Sequence, residues 1–185
     1  MARQYQDIAI AEAESLLHSP IHDERLVALL ILVRMYTRGK EDIKRQVYEC
    51  YLRNTAWINN WDLVDGTAYF IAGPHLATRD RKPLYKLAKS KSLWERRIAI
   101  VATMHFVRQG EIEDTFRIAE ILLHDKEDLM HKAVGWLLRE AGKRDLPALE
   151  TFLARHAPVM PRTMLRYAIE KLPEARRQKI LKGKA

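Results

Sequence analysis

Apolar residues recur three and four positions apart along almost the whole chain, and no stretch of useful length alternates as a strand would. That single period restricts the chain to an all-α fold. Ile8, Ala9, Ala11, Ala13, Leu16 and Leu17 form a first apolar face that Ser19-Pro20 stops. Leu26, Leu29, Leu30, Val33 and Met35 form a longer second one, closed by Thr37-Arg38-Gly39-Lys40. A third helix is expected from Asp42 to Arg53, and a fourth from Trp61 to Ala72, where Gly73-Pro74 interrupts it. Further helices are expected near 80–90, 92–108, 112–123, 127–141, 145–156 and 161–171. Gly110, Asp125, Gly142, Pro158 and Pro161 punctuate them. Successive pairs about 35 to 40 residues apart suit a HEAT-like array, although the helices Leu26–Met35, Ile98–Val107 and Ala133–Leu138 share only an Ala/Val/Leu-rich face.

A length of 185 residues suits one such array as a single domain, residues 1–185. No apolar run is long enough to cross a bilayer, and the opening Met1-Ala-Arg-Gln-Tyr-Gln-Asp lacks the layout of a secretory signal, so the expected location is the cytoplasm. Cys50 is the only cysteine, which excludes an internal disulfide and a cysteine-rich zinc site and suits a small core residue. The net charge of +8 is unevenly spread. Residues 1–78 carry eight Lys/Arg against ten Asp/Glu, residues 79–109 nine against two, and residues 145–185 nine against four. Two basic blocks favour a polyanionic partner, while a merely soluble basic surface is the alternative.

Four constellations stand out. In Asn59-Asn60-Trp61-Asp62-Leu63-Val64-Asp65-Gly66, Asn60 suits an N-cap and Asp62 the first helical turn. Trp61 and Asp65, four apart, share a face and set an aromatic plane beside a carboxylate, a pair suited to a cation. The same pair also suits a core Trp61 with Asp65 bonded to backbone or an arginine. In Leu93-Trp94-Glu95-Arg96-Arg97, Ser92 and Glu95 form a capping box. Trp94 is then expected to pack inward and one arginine to face a phosphate, or both to be ordinary surface groups. In Lys132-Ala133-Val134-Gly135-Trp136-Leu137-Leu138-Arg139, a mid-helix Gly135 points to close approach of another backbone, and Trp136 and Arg139 share a face. In Met160-Pro161-Arg162-Thr163-Met164-Leu165-Arg166, Arg162 and Arg166 align one turn apart, a repulsive pair unless a phosphate lies between them. The tail Arg176-Arg177-Gln178-Lys179 reads as a solvated helix end. There is no glycine-rich phosphate loop, no His-Glu-x-x-His and no Gly-x-Ser-x-Gly, and His75, His105, His124 and His131 have no metal-ligand spacing.

Taken in order, Trp61-Asp62-Leu63-Val64-Asp65, Trp94-Glu95-Arg96-Arg97-Ile98-Ala99, Lys132-Ala133-x-Gly135-Trp136-x-x-Arg139-Glu140 and Pro161-Arg162-Thr163-Met164-Leu165-Arg166-Tyr167-Ala168 closely resemble the AlkD-type DNA alkylation repair proteins. The likeness runs from about residue 4 to 172. It implies a right-handed superhelical solenoid of HEAT-like antiparallel helical pairs whose basic concave groove holds duplex DNA with alkylated bases. It further implies a glycosylase that removes cationic N3- or N7-alkylpurines without flipping the base, working as a monomer with no metal or other cofactor. The family's catalytic aspartate matches Asp65, its groove tryptophans match Trp61 and Trp136, and its backbone-contacting arginines match Arg97 and Arg139. Arg96, Arg162 and Arg166 are added here as further DNA-contacting candidates. The family's members begin with an additional helical region, and this chain opens where that region is ending. Two other readings stay open: a HEAT-like DNA-binding module without catalysis, and a helical scaffold for proteins, which would line its concave face with apolar residues.

Overall fold

The computed structural model describes residues 8–183; residues 1–7, read above for a secretory signal, lie outside it. The elements run α1 (Ile10–Leu17), α2 (His22–Arg38), α3 (Glu41–Arg53), a 3₁₀ turn (Thr55–Trp57), α4 (Trp61–Asp65), α5 (Ala68–Leu76), α6 (Lys82–Ala88) and α7 (Leu93–Ala102). They continue with α8 (Met104–Arg108), α9 (Glu113–Ile121), α10 (Asp128–Arg144), α11 (Leu146–His156), α12 (Arg162–Ala168) and α13 (Glu174–Leu181). No strand occurs among the described residues. None of their helices is long and apolar enough to cross a membrane.

Packing proceeds from neighbour to neighbour. α2 lies on α1 and α3, α5 links α3 to α7, α7 lies on α4, α6 and α10, and α10 lies on α9, α11 and α12. One apolar core runs through this sequence of contacts from Ala13 to Ile180. Helix α7 and helix α10 are central because each buries almost a full face: Ile98 to Ala102 in the first, and Met130, Ala133, Val134, Leu137, Leu138 and Ala141 in the second. Cys50 is a core residue as its surroundings in sequence suggested, and burial pushes its thiol up to about 11.

Several helix boundaries differ from the sequence expectation, each for a local reason. Gly73-Pro74 does not end a helix. The break falls at Gly66-Thr67, and α5 runs through Gly73 because that glycine sits against the backbone carbonyl of Ala102 and the Cβ of His105, which leave no room for a side chain. Pro74, near the helix end, removes only a single backbone donor there. The expected helix 92–108 divides at Thr103, whose buried hydroxyl donates to the Ile100 carbonyl at 2.7 Å. Gly142 lies inside α10, which continues to Arg144. In α2 the core face is Ala28, Leu29, Ile31, Leu32 and Tyr36, while Leu30 is 40% exposed. A run as uniformly apolar as Ala28 to Val33 carries no period from which the buried side can be chosen.

Candidate functional site

Helix α4 is only five residues long and is held largely by polar contacts. Asn60 Oδ1 accepts from the Trp61 backbone N–H at 2.8 Å, and Asp62 Oδ1 accepts from that of Leu63 at 2.8 Å, which satisfies amides that the helix start leaves open. His22 at the start of α2 reaches Asp62 through Nε2 at 3.0 Å and Asp23 through Nδ1 at 3.0 Å. Below the helix, Thr67 donates to the Leu63 carbonyl, and the buried Tyr51 hydroxyl lies 3.0 Å from Thr67 Oγ1. Leu63 and Val64 enter the core. The opposite face therefore carries Trp61, 52% exposed, and the half-buried Asp65.

Asp65 does not stand alone. Arg97 of α7 donates to it through both Nε (2.8 Å to Oδ1) and Nη2 (2.7 Å to Oδ2), while its Nη1 donates to the Leu129 carbonyl. This two-point fork fixes the plane of the carboxylate, and each oxygen keeps a lone pair for another partner. Arg97 is only 5% exposed. Its position on α7 is set by the Ser92 cap, whose Oγ accepts from the Glu95 N–H at 3.5 Å. The expected capping box is half made: the Glu95 carboxylate turns away and accepts from Thr55 Oγ1 at 2.8 Å, tying α7 to the 3₁₀ turn before α4.

The other wall comes from α10 and α12. A Cβ at Gly135 would lie 2.5 Å from the Met164 carbonyl and 2.5 Å from the Cβ of Tyr167. The glycine is what lets the two helices meet this closely, as its mid-helix place suggested. Trp136, partly buried against the core, and Tyr167, exposed, thus stand side by side on the cleft. Lys132, one turn before Trp136, pairs with Asp128 at 2.7 Å; the carboxylate raises the ammonium and is itself held below its usual range. Arg139 pairs with Glu140 (3.1 Å) and with Glu170.

The result is an open cleft of about 430 Å³ that brings Trp61, Asp65, Arg97, Trp136 and Arg139 together from α4, α7 and α10. Tyr167 and Lys132 line it as well, and neither was singled out by the sequence reading; the signal for Tyr167 was Gly135, whose missing side chain marks the contact. The remaining three arginines lie elsewhere. Arg96 is consumed by Asp125 (2.6 Å) and by the Ser90 and Lys91 carbonyls, Arg162 donates to the Leu181 carbonyl at 2.7 Å, and Arg166 is exposed on α12 outside the cleft lining. Trp94 is partly buried against the core, as expected. A larger hollow of about 690 Å³, between α11 and α13, is lined by Leu153, Pro173 and Ile180 and crossed by an Arg176–Glu150 ion pair at 2.8 Å; it holds no aromatic group. Among the described residues no group of three or more His, Cys, Asp or Glu is placed to hold a metal ion.

The described residues thus form an all-helical protein that sets an aspartate and two tryptophans on one open cleft. Among solved structures, one described as a predicted DNA alkylation repair enzyme from Enterococcus faecalis is similar, with a TM-score of 0.72 over 94% of this chain and 81% of that one. At 15% identity that likeness speaks for the fold. The family model described as DNA alkylation repair enzyme matches residues 1–172, and the chain belongs to that family. No curated protein matches the chain.

Proposed function

We propose that this protein is a DNA glycosylase that hydrolyses the N-glycosidic bond of cationic N3- or N7-alkylated purines in duplex DNA, acting as a monomer on the concave face of its helical array and without base flipping. The observation that carries the reading is Asp65, fixed in plane by Arg97 in an open cleft between Trp61 and Trp136. An alkylated purine of this class already bears a positive charge, so when the C1′–N bond breaks the base keeps the electron pair and leaves neutral. No strong general acid is needed. The sugar left behind is oxocarbenium-like, and water must add to C1′. Asp65 offers that cation an opposite charge and its free lone pairs offer the water an acceptor, while the two indole faces add cation–π attraction.

The same geometry adds a role to the one suggested by resemblance. Arg97 gives three of its five N–H donors to Asp65 and the Leu129 carbonyl, so in this reading it also orients the carboxylate. Arg139 is the cleft-lining arginine left to meet a phosphate, in exchange for its contact with Glu170.

The test is release of 7-methylguanine from methylated duplex DNA. Asp65→Asn keeps the shape and loses the charge, and release should fall by about two to three orders of magnitude, the effect of removing one preorganised electrostatic group. Neutral lesions such as 8-oxoguanine should be poor substrates for either protein. A second reading, a DNA-binding module without catalysis, draws on the same ion pair, since Arg97 already meets the charge of Asp65. Equal release by the native protein and Asp65→Asn would remove the catalytic assignment of Asp65, and binding without release by the native protein would favour that second reading.

A further inference from the structure

Trp136 lines not one hollow but two. The second, of about 410 Å³, shares Trp136 with the cleft of Asp65 and is otherwise lined by Met104, Val107, Arg108, Glu140, Lys143 and Arg144. Met104 and Val107 make an apolar floor. The basic groups are the final residue of α8, Arg108, and the last two of α10, Lys143 and Arg144.

What distinguishes this hollow is how its cations are used. Arg96 and Arg97 are each forked onto an aspartate, and Arg139 is held by two glutamates. Among the described residues Arg108 and Arg144 have no carboxylate partner. The Arg108 guanidinium lies 4.8 Å over the Tyr69 ring, a cation–π contact that orients the group and leaves its N–H donors unspent. Arg144 donates through Nη2 to the Arg108 carbonyl at 3.4 Å. The hollow's acid, Glu140, is already met by Lys143 at 2.8 Å and by Arg139, so it does not oppose an incoming anion. Two guanidiniums with free planar donors, oriented by an aromatic ring and a backbone carbonyl beside an aromatic cleft, match the tetrahedral oxygens of a phosphodiester.

We propose that Arg108 and Arg144 form a phosphate site for the DNA backbone, adjoining the cleft of Asp65 through Trp136. The site rests on the reading of duplex DNA as the partner. It adds donors for the DNA backbone to a surface on which Arg96 and Arg97 are already forked onto aspartates.

The alternative is that both arginines merely complement the negative ends of α8 and α10. The two roles separate by salt. Binding of a fluorescein-labelled undamaged duplex is followed by anisotropy across a range of NaCl concentrations for the native protein and for Arg108→Gln with Arg144→Gln. An Arg155→Gln variant, which removes an exposed charge lining neither hollow, is the control. Loss of two phosphate contacts should flatten the log–log salt slope by about two units and weaken binding by roughly tenfold per arginine near 0.1 M salt. Paired Arg→Lys substitutions should restore most of the slope, because counterion release needs the charge more than the fork. A double variant whose slope and affinity match the Arg155→Gln control, whatever its melting temperature, overturns the phosphate site. Base release by the native protein judges the glycosylase reading separately: a flattened slope without release would leave the phosphate site standing and remove the enzyme.

Discussion

Two helices supply the tryptophans of the cleft, and they are held in opposite ways. Helix α4 has five residues, too few to be stable through its own hydrogen bonds, and is fixed by the Asn60 cap, His22 on Asp62, Thr67 under Leu63 and Arg97 on Asp65. Helix α10 has seventeen residues and is fixed by packing, with Gly135 pressed against α12. The wall that carries the carboxylate is thus a polar assembly, and the wall opposite is a steric one. Substitutions that change charge should break the first, and substitutions that change volume the second.

The largest effect is expected at the buried end of the polar wall. Arg97→Met removes three charge-assisted hydrogen bonds, one of them to the Leu129 carbonyl, and leaves Asp65 without its counter-charge. Truncating one partner of a buried pair costs about 3 kcal/mol or more. Denaturant unfolding should show a loss of that size. Arg97→Lys should recover less than half of it, since an ammonium cannot fork across both carboxylate oxygens. Native-like stability in Arg97→Met would mean that the carboxylate is held by packing after all.

A smaller effect is expected at the steric wall. Gly135→Ala improves helix propensity by about 1 kcal/mol, but its Cβ must displace backbone and not just the end of a flexible side chain. Overpacking of that kind costs about 1–3 kcal/mol, so the net change is a loss near 1 kcal/mol together with a shift of Tyr167. The melting temperature and the near-ultraviolet signal of the cleft aromatics should both move. A more stable Gly135→Ala protein would show that α12 yields easily and that the contact is not what places Tyr167.

This contrast also explains what the sequence discloses. Steric and local features are legible: the Asn60 cap, the shared face of Trp61 and Asp65, the close approach implied by Gly135 and the inward Trp94 all follow from spacing within a few residues. The partners of charged groups are not. Arg97 and Asp65 are 32 residues apart, Arg96 and Asp125 29, and His22 and Asp62 40. Neighbouring arginines, alike in sequence, therefore face different aspartates for reasons that only the packing of α7 on α4 and α10 reveals. Resemblance singled out Arg97, and the packing gives it a carboxylate partner inside the protein. Arg108 and Arg144 escaped notice because an arginine at a helix end is unremarkable until the absence of a carboxylate beside it is seen.

The mildest test of the polar wall is the one nearest the surface. His22 faces Asp23 through Nδ1 and Asp62 through Nε2, an arrangement in which only the doubly protonated ring donates to both, and these two carboxylates raise its pKa above the usual value near 6.5. The group is accessible to water and salt, so its contribution is modest. Its sign is nevertheless fixed. A histidine whose folded pKa is raised stabilises the native state fully below the unfolded pKa, and that stability is lost as pH rises through the folded pKa. The native protein should therefore exceed His22→Gln in stability most clearly near pH ~5.5 and converge with it at alkaline pH, once the pH has passed the raised folded pKa. Raising the salt to about 0.5 M should shrink the difference at low pH, because the Debye length then falls to a few ångströms. Because α4 carries both Trp61 and Asp65, the same titration should appear in Trp61 fluorescence, isolated from the other tryptophans by comparison with Trp61→Phe. Parallel stability curves for native protein and His22→Gln from pH 5.5 to 9 would detach His22 from α4 and leave the Asn60 cap, Thr67 and Arg97 as the contacts that hold the aspartate's helix in place.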